Sequence, residues 1–447
     1  MVIKFMVEEK KKDKKIDLIL YFGIILIQIF LMFLSMVFFS NTVNAIVSVC
    51  IGLGAIFFRY FKTRKILCPI TVLCIIWMIL VGCTSFEFPL MRQMNSWDWL
   101  VCELFVVFFS LGGILSIAIK NKRNEIECQI KKECQIEKYK FYFCLGLIVL
   151  SICIHLYQVY VYGGFVIFSD NPSIERQKYT LPGLATLSTL GTLGVFYIAN
   201  DKKYRKNILF IVLSILYLGL LFMVSVRFQI FLTIIMVAAC SFAGKINVKY
   251  LLGILLAGLI LVAVFLVIGS VRSGIEEADK YFIQSGLYSG DVKDIVNTEI
   301  FRYFGYSQRL VDLYWDHYTP GEAMGAHTLY PFIHMLNLDV KLPSGLWHLG
   351  YVATNIVTYL YLDFGHFWPL ACVVYGLIVN FSYYNYLYDS NKKWKGYFWA
   401  VCCFSLSLSF YSYIHSYIYL IVYFPVVIFL MDIASKLLCS FKYKRRG

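Results

Sequence analysis

What this 447-residue chain has least of is charge: Asp, Glu, Lys and Arg make up 15% of it, against about 25% in an ordinary soluble domain. Acid is scarcer than base, 27 residues to 41, which leaves a formal charge of +14. With 60% hydrophobic residues, such a composition excludes a fold that presents its surface to water alone. No solenoid-period repeat, low-complexity tract or Pro-rich linker marks off a soluble domain. Most of the fourteen cysteines fall inside apolar runs and none lies between Ser270 and Leu349, so they read as small membrane-buried hydrophobes. Cys128 and Cys134 stand at a spacing that matches no zinc pattern, and Cys402 and Cys403 point to different helix faces, so no metal site is expected.

What the chain does have is long apolar runs. Crossing roughly 30 Å of hydrocarbon takes about 20 apolar residues as helix, and there are about twelve such runs. They lie near 17–39, 43–58, 66–83, 99–119, 141–162, 181–199, 207–225, 228–244, 250–270, 364–386, 397–414 and 416–437. Backbone groups in lipid must bond internally, so the fold class expected is an all-α polytopic membrane protein. Runs of this length exclude a β-barrel. Residues 1–447 then form one integral membrane domain, within which 270–349 is the one large extracytoplasmic loop. Of the 41 Lys and Arg, 31 fall in alternate segments beginning with the N-terminus, which sets both termini in the cytoplasm and 270–349 outside. The net positive charge therefore reads as contact with anionic headgroups of membrane lipids, and no nucleic acid partner is expected. The first run lacks a small-residue cleavage site and is read as the first span.

The stretch from Ser270 to Leu349 is the only long polar segment, and it holds His317, His327, His334 and His348, four of the seven histidines. Within it NTEIFRYFGYSQRLVDLYWDHY, residues 297–318, places Ile300, Phe304, Val311 and Tyr314 at helical spacing, with Pro320-Gly321 as the stop. Glu299, Arg302, Tyr306 and Arg309 recur on one face of that helix. Residues 350–362 are apolar but too short to span before Asp363-Phe364-Gly365 interrupts them, and read as a re-entrant or interfacial piece. The loop 163–180, carrying Asp170, Glu175, Arg176 and Lys178, is a candidate cleft wall.

Arg227 in SVRFQIF and Arg272 in GSVRSG stand at ends of apolar runs, where a bare charge needs a partner. A planar guanidinium meets phosphate oxygens through two parallel bonds, so a diphosphate suits them, while a lone arginine there also snorkels to headgroups. Arg302 and Arg309 extend the positive field or are simply solvated. For a general base the candidates are His327, in GAHTLYP, with Glu322 and Asp363 as the carboxylate alternatives. Asp363 also reads as an N-cap for the span beginning at Phe364. Some of the many tyrosines belong to interfacial belts.

This order of features resembles the Wzy-type oligosaccharide repeat-unit polymerases, over roughly residues 215–380. The resemblance is carried by SVRFQIF, GSVRSG, TEIFRYFGYSQRLVDLYWDHYTPG, GAHTLYPFIHML and NIVTYLYLDFGHFWPLACVVYGL. It implies a GT-C-like helical membrane glycosyltransferase of the bacterial cytoplasmic membrane. Such enzymes move a growing glycan from undecaprenyl diphosphate onto a new lipid-linked repeat unit, by inverting transfer without cofactor, beside chain-length regulator and flippase proteins. The resemblance gives Arg227 and Arg272 the donor diphosphate and the outer loop, with Tyr303, Tyr306 and Glu299, the acceptor. The related O-antigen ligases usually show a Leu four places after the corresponding histidine; here His327-Thr328-Leu329-Tyr330-Pro331 lacks it. The alternatives are a ligase, or a lipid-linked oligosaccharide flippase or other transporter. Transport is disfavoured by the asymmetric loop and by spans nearly free of acidic residues at mid-depth.

Overall fold

The computed structural model describes residues 2–37, 40–85, 93–120, 136–169, 175, 178–179, 181, 183–246, 307–340, 354–388, 393–411 and 417–444. Among them every regular element is helical and no strand occurs. Five helical stretches are long and apolar enough to cross a membrane: Lys12–Phe33, Asn41–Thr63, Ser96–Ile119, Lys138–Phe168 and Ile356–Leu387. Pro69–Cys83, Leu184–Ala199, Ile208–Met223, Phe228–Ser241 and Tyr419–Ser435 are apolar but have only 10–17 residues. At 1.5 Å per residue, a helix of sixteen residues rises about 24 Å, short of the hydrocarbon thickness. The apolar run 250–270 and residues 121–135 lie outside the described residues.

The described residues gather into two compact units. One is built from the chain up to residue 120 together with 242–246 and 307–411. Its centre is the crossing of the helices Ser96–Lys120 and Trp368–Tyr388, where glycine is required. A Cβ on Gly376 would stand 2.3 Å from the Phe109 carbonyl oxygen, and one on Gly112 would stand 2.1 Å from that of Val373. Small residues let two backbones touch where lipid offers no hydrophobic drive to join them.

A second device fixes the opening helices. Arg59 is wholly buried and meets the Asp17 carboxylate twice, Nε to Oδ1 at 2.7 Å and Nη2 to Oδ2 at 3.2 Å. Tyr384 donates to the same carboxylate at 2.8 Å, and Arg59 also donates to the Lys65 carbonyl at 2.9 Å. Lys65 itself pairs with Asp13 at 2.5 Å. Arg59 and Lys65, part of one of the basic segments counted for orientation, are thus buried partners of acids on the first helix. The helices Val2–Val37, Asn41–Thr63 and Trp368–Tyr388 meet at this network.

The other unit holds the helices Ile136–Tyr162, Leu190–Ala199, Ile208–Met223, Arg227–Ser241 and Phe424–Lys444. Some of their polar groups pair with one another. Thr192 lies 3.1 Å from the Tyr217 hydroxyl and 2.9 Å from that of Thr233, which donates at 2.7 Å to the Gln229 carbonyl. Lys140 and Asp432 pair at 2.5 Å between the first and last of these helices.

Candidate functional site

The site is built around the short helix Ile356–Phe364. Asn355 caps it, accepting from the Thr358 amide at 3.1 Å and donating to the Ser307 carbonyl at 3.4 Å. The Ile356 amide reaches the Ser409 carbonyl at 2.8 Å, and Ser307 Oγ and Gln308 Nε2 both donate to the Phe410 carbonyl, the latter at 3.0 Å. The helix is therefore fixed at its start to two distant segments. Seven of its nine residues, Asp363 among them, are buried, as a short apolar piece packed in protein requires. Gly365, at φ 55°, ends it.

Its other end organises the segment that holds residues 319–335. Orphan carbonyls of the last turn need donors. The Gly321 amide supplies one to Tyr361 at 3.1 Å, and the Ala323 amide one to Leu362 at 2.9 Å. Gly325, at φ 82°, then turns the chain into the helix Ala326–Met335. That helix has no side-chain cap of its own, and Asp363 provides one from 36 residues away. Its Oδ1 accepts from the His327 amide at 3.0 Å, and its Oδ2 from the Thr328 amide at 2.7 Å and hydroxyl at 2.6 Å. Asp363 does not cap a span beginning at Phe364: it closes the preceding helix and its charge faces a different helix N-terminus. A carboxylate there gains from the helix dipole.

This arrangement leaves His327 in the first turn of a helix whose start is tied to Asp363. Its ring meets that of Tyr359 edge-on, centroids 5.1 Å apart. Nε2 is buried and has no hydrogen-bond partner among the described residues. Burial lowers the imidazole pKa below its ordinary value, while the Asp363 charge pulls it the other way. The lowering prevails, so the ring is neutral at neutral pH and Nε2 has a lone pair or a proton to offer. Glu322, the neighbouring carboxylate candidate, is exposed and accepts from Thr319, amide at 3.2 Å and hydroxyl at 3.3 Å.

Arg309 departs from expectation. It is 1% exposed, on the tight turn Ser307–Leu310. Burial pushes its pKa down to about 10, opposed by Asp98, so it stays charged. Asp98 and Asn95 bond reciprocally at the start of the helix Ser96–Lys120, at 2.8 and 3.1 Å, and Asp98 also accepts from the Asp312 amide at 3.1 Å. Arg309 is thus a buried charge in the field of a fixed acid, in place of a solvated one.

The sequence reading also missed an aromatic group. Trp315 stacks on Tyr361, centroids 4.0 Å apart and planes 7° from parallel, and meets Trp97 and Trp368 edge-on. Its Nε1 is buried and has no partner among the described residues. Trp97, half exposed, opens this cluster outward. Composition announced the aromatics but no spacing joins residues 97, 315, 361 and 368.

The remaining candidates are more scattered. Arg272, Arg302, Tyr303, Tyr306, Glu299 and His348 lie outside the described residues. Arg227 opens the helix Arg227–Ser241 in the second unit. His317, His334 and His366 are exposed, while His155 is buried in the second unit against the Tyr179 hydroxyl at 3.1 Å. Compared with known protein families, with curated proteins and with solved structures, the chain matches none.

Proposed function

We propose that this chain is a membrane glycosyltransferase that polymerises undecaprenyl-diphosphate-linked repeat units into a surface polysaccharide. In this reading about twelve spans hold both termini in the cytoplasm, and the Ser270–Leu349 segment meets substrate at the outer face of the bacterial cytoplasmic membrane. The observation that supports it most is the setting of His327: a neutral imidazole with an uncommitted Nε2, positioned by a buried carboxylate that is itself fully engaged. That setting supports one division of labour among the three candidates. Asp363 holds three donors and orients the histidine, and Glu322 is occupied by its own turn, so His327 takes the role of base.

The chemistry follows from this division. Nε2 accepts the proton of the acceptor sugar hydroxyl as that oxygen attacks the anomeric carbon of the donor glycan. The bond from that carbon to the diphosphate breaks with its electron pair on the phosphate oxygen, inverting the centre. A fixed cation lowers the cost of the charge that grows there, the chemistry that a guanidinium such as Arg227 or Arg272 suits. The half-exposed Trp97, set edge-on against Trp315, gives sugar rings an aromatic surface on the first unit.

Carriage of a lipid-linked oligosaccharide is the second reading, and one observation favours it. Glu103, passed over inside an apolar run, is a buried carboxyl within a spanning helix, a feature common in transporters. Deletion in the native strain separates the two. Surface glycan reduced to single repeat units supports the polymerase, and accumulation of lipid-linked units on the cytoplasmic face supports carriage.

A further inference from the structure

The helix Ala326–Met335 has an apolar stripe that its packing does not use. Ala326 belongs to the cluster of Leu310, Tyr314, Tyr318, Ala323 and Leu362, and Ile333 packs against it. Leu329 and Phe332, with Leu336 just past the end of the helix, follow instead at steps of three and four and are 52%, 45% and 62% exposed. At about 100° per residue they fall within an arc of about 60°. Met335, also exposed, lies beside them. Tyr330 and His334, their rings 5.8 Å apart, occupy the far side. An exposed stripe of large apolar side chains marks a surface that meets something other than water.

A neighbouring span gives the level at which this helix stands. Trp368–Tyr388 has 21 residues, and its rise of about 31 Å matches the hydrocarbon thickness. The turn Gly365–Phe367 that precedes it therefore lies at the edge of the membrane. The segment leading into Ala326 rests on that turn: a Cβ on Gly321 would stand 3.4 Å from the Gly365 amide nitrogen, and one on Gly365 would stand 3.1 Å from the Pro320 carbonyl carbon. Apolar exposure continues on both sides of this junction. Phe367, Leu370 and Val374 follow at steps of three and four along the span and are exposed, as are Phe364 before them and Met324 across the junction. On a helix of the spanning stretch Ile356–Leu387 such a surface faces lipid. A ten-residue helix beside it, apolar on one side and polar on the other, has the form of an interfacial helix.

We infer that the helix Ala326–Met335 lies in the bilayer interface, with Leu329, Phe332 and Leu336 sunk among the acyl chains of the leaflet that borders Gly365, and with Tyr330 and His334 turned to the headgroups. The partner of this surface is the bilayer itself. His327, in the first turn of the helix, then sits at headgroup depth, level with the polar group of a lipid-borne substrate. The inference does not depend on the polymerase reading, because it draws only on exposure, spacing and the contact with the span.

The test uses the whole chain in lipid nanodiscs, with an environment-sensitive fluorescent amino acid in place of Phe332 in one preparation, Leu336 in a second and His334 in a third. Each is quenched by lipids brominated on their acyl chains and, separately, by iodide in the water. The labels at 332 and 336 are expected to be quenched several-fold more by the brominated lipids than the label at 334, and several-fold less by iodide. The label at 336 keeps the test decisive where the variant at 332 does not fold. Iodide quenching at 332 and 336 equal to that at 334 puts the stripe in water and overturns the inference. Quenching by neither agent, which means that a second copy or another part of the chain covers the stripe, also overturns it. No transfer activity enters the readout, so failure here and failure of the polymerase reading stay distinct.

Discussion

Replacing Asp363 separates orientation from catalysis. Its carboxylate is 4% exposed and accepts three hydrogen bonds, from the His327 amide and from the Thr328 amide and hydroxyl. Removing it as Asp363→Ala strands two amides at the start of a helix. A lost cap costs typically about 1 kcal/mol and a stranded buried donor about 1–3 kcal/mol, so a loss of about 3 kcal/mol is expected. Asp363→Asn keeps one acceptor and the shape of the side chain, and costs about half as much. Its electrical effect is the more informative one. The Asp363 charge is what raises the His327 pKa against burial, so without it the imidazole titrates at still lower pH. A general base works only unprotonated, and the acid limb of the pH–rate profile therefore moves to lower pH while turnover near neutrality persists. The assay is extension of lipid-linked repeat units by reconstituted protein across a pH series, with thermal unfolding beside it. If Asp363→Asn melts normally yet is inactive at every pH, Asp363 is the base and the division of labour is wrong.

Other perturbations probe other links. Because the folded protein lowers the His327 pKa below the ordinary 6.5, the unfolded chain binds the extra proton first; His327 therefore destabilises the fold as pH falls below about 6.5, and urea titration of His327→Gln against wild type shows a smaller acid loss. Arg227→Ala and Arg272→Ala each abolish extension while the protein remains in the membrane; a normal glycan ladder from either variant removes the diphosphate role. Arg59→Ala leaves Asp17 buried without its partner, costs about 3–5 kcal/mol, and shows as lost expression or a lowered melting midpoint. Gly376→Val forces side-chain atoms into the Phe109 backbone and prevents the central crossing, whereas Gly23→Ala, with nothing within 4 Å, is silent in the same unfolding assay.

Much of the helical layout was legible because lipid enforces it. The run 207–225 became the helix Ile208–Met223 and 43–58 became Asn41–Thr63, since an apolar stretch of that length has no other way to satisfy its backbone. The break at Asp363-Phe364-Gly365 was legible for a local reason, a glycine at positive φ. What sequence did not carry was pairing across distance. Nothing near Asp363 names Thr328 as its partner, nor does anything near Arg59 name Asp17. Averaging over a run hid Glu103 because its neighbours are strongly apolar. Helical spacing misjudged Arg309 because spacing along the chain does not register what packs against the turn Ser307–Leu310, which is buried.

The central claim is that His327 is the base of a polymerising transfer. It is tested most directly by incubating reconstituted wild-type and His327→Gln protein with lipid-linked repeat units and resolving the products on a gel. The account predicts a ladder from the wild type and only single units from a folded His327→Gln variant. No ladder from the wild type, or an undiminished one from the variant, contradicts it.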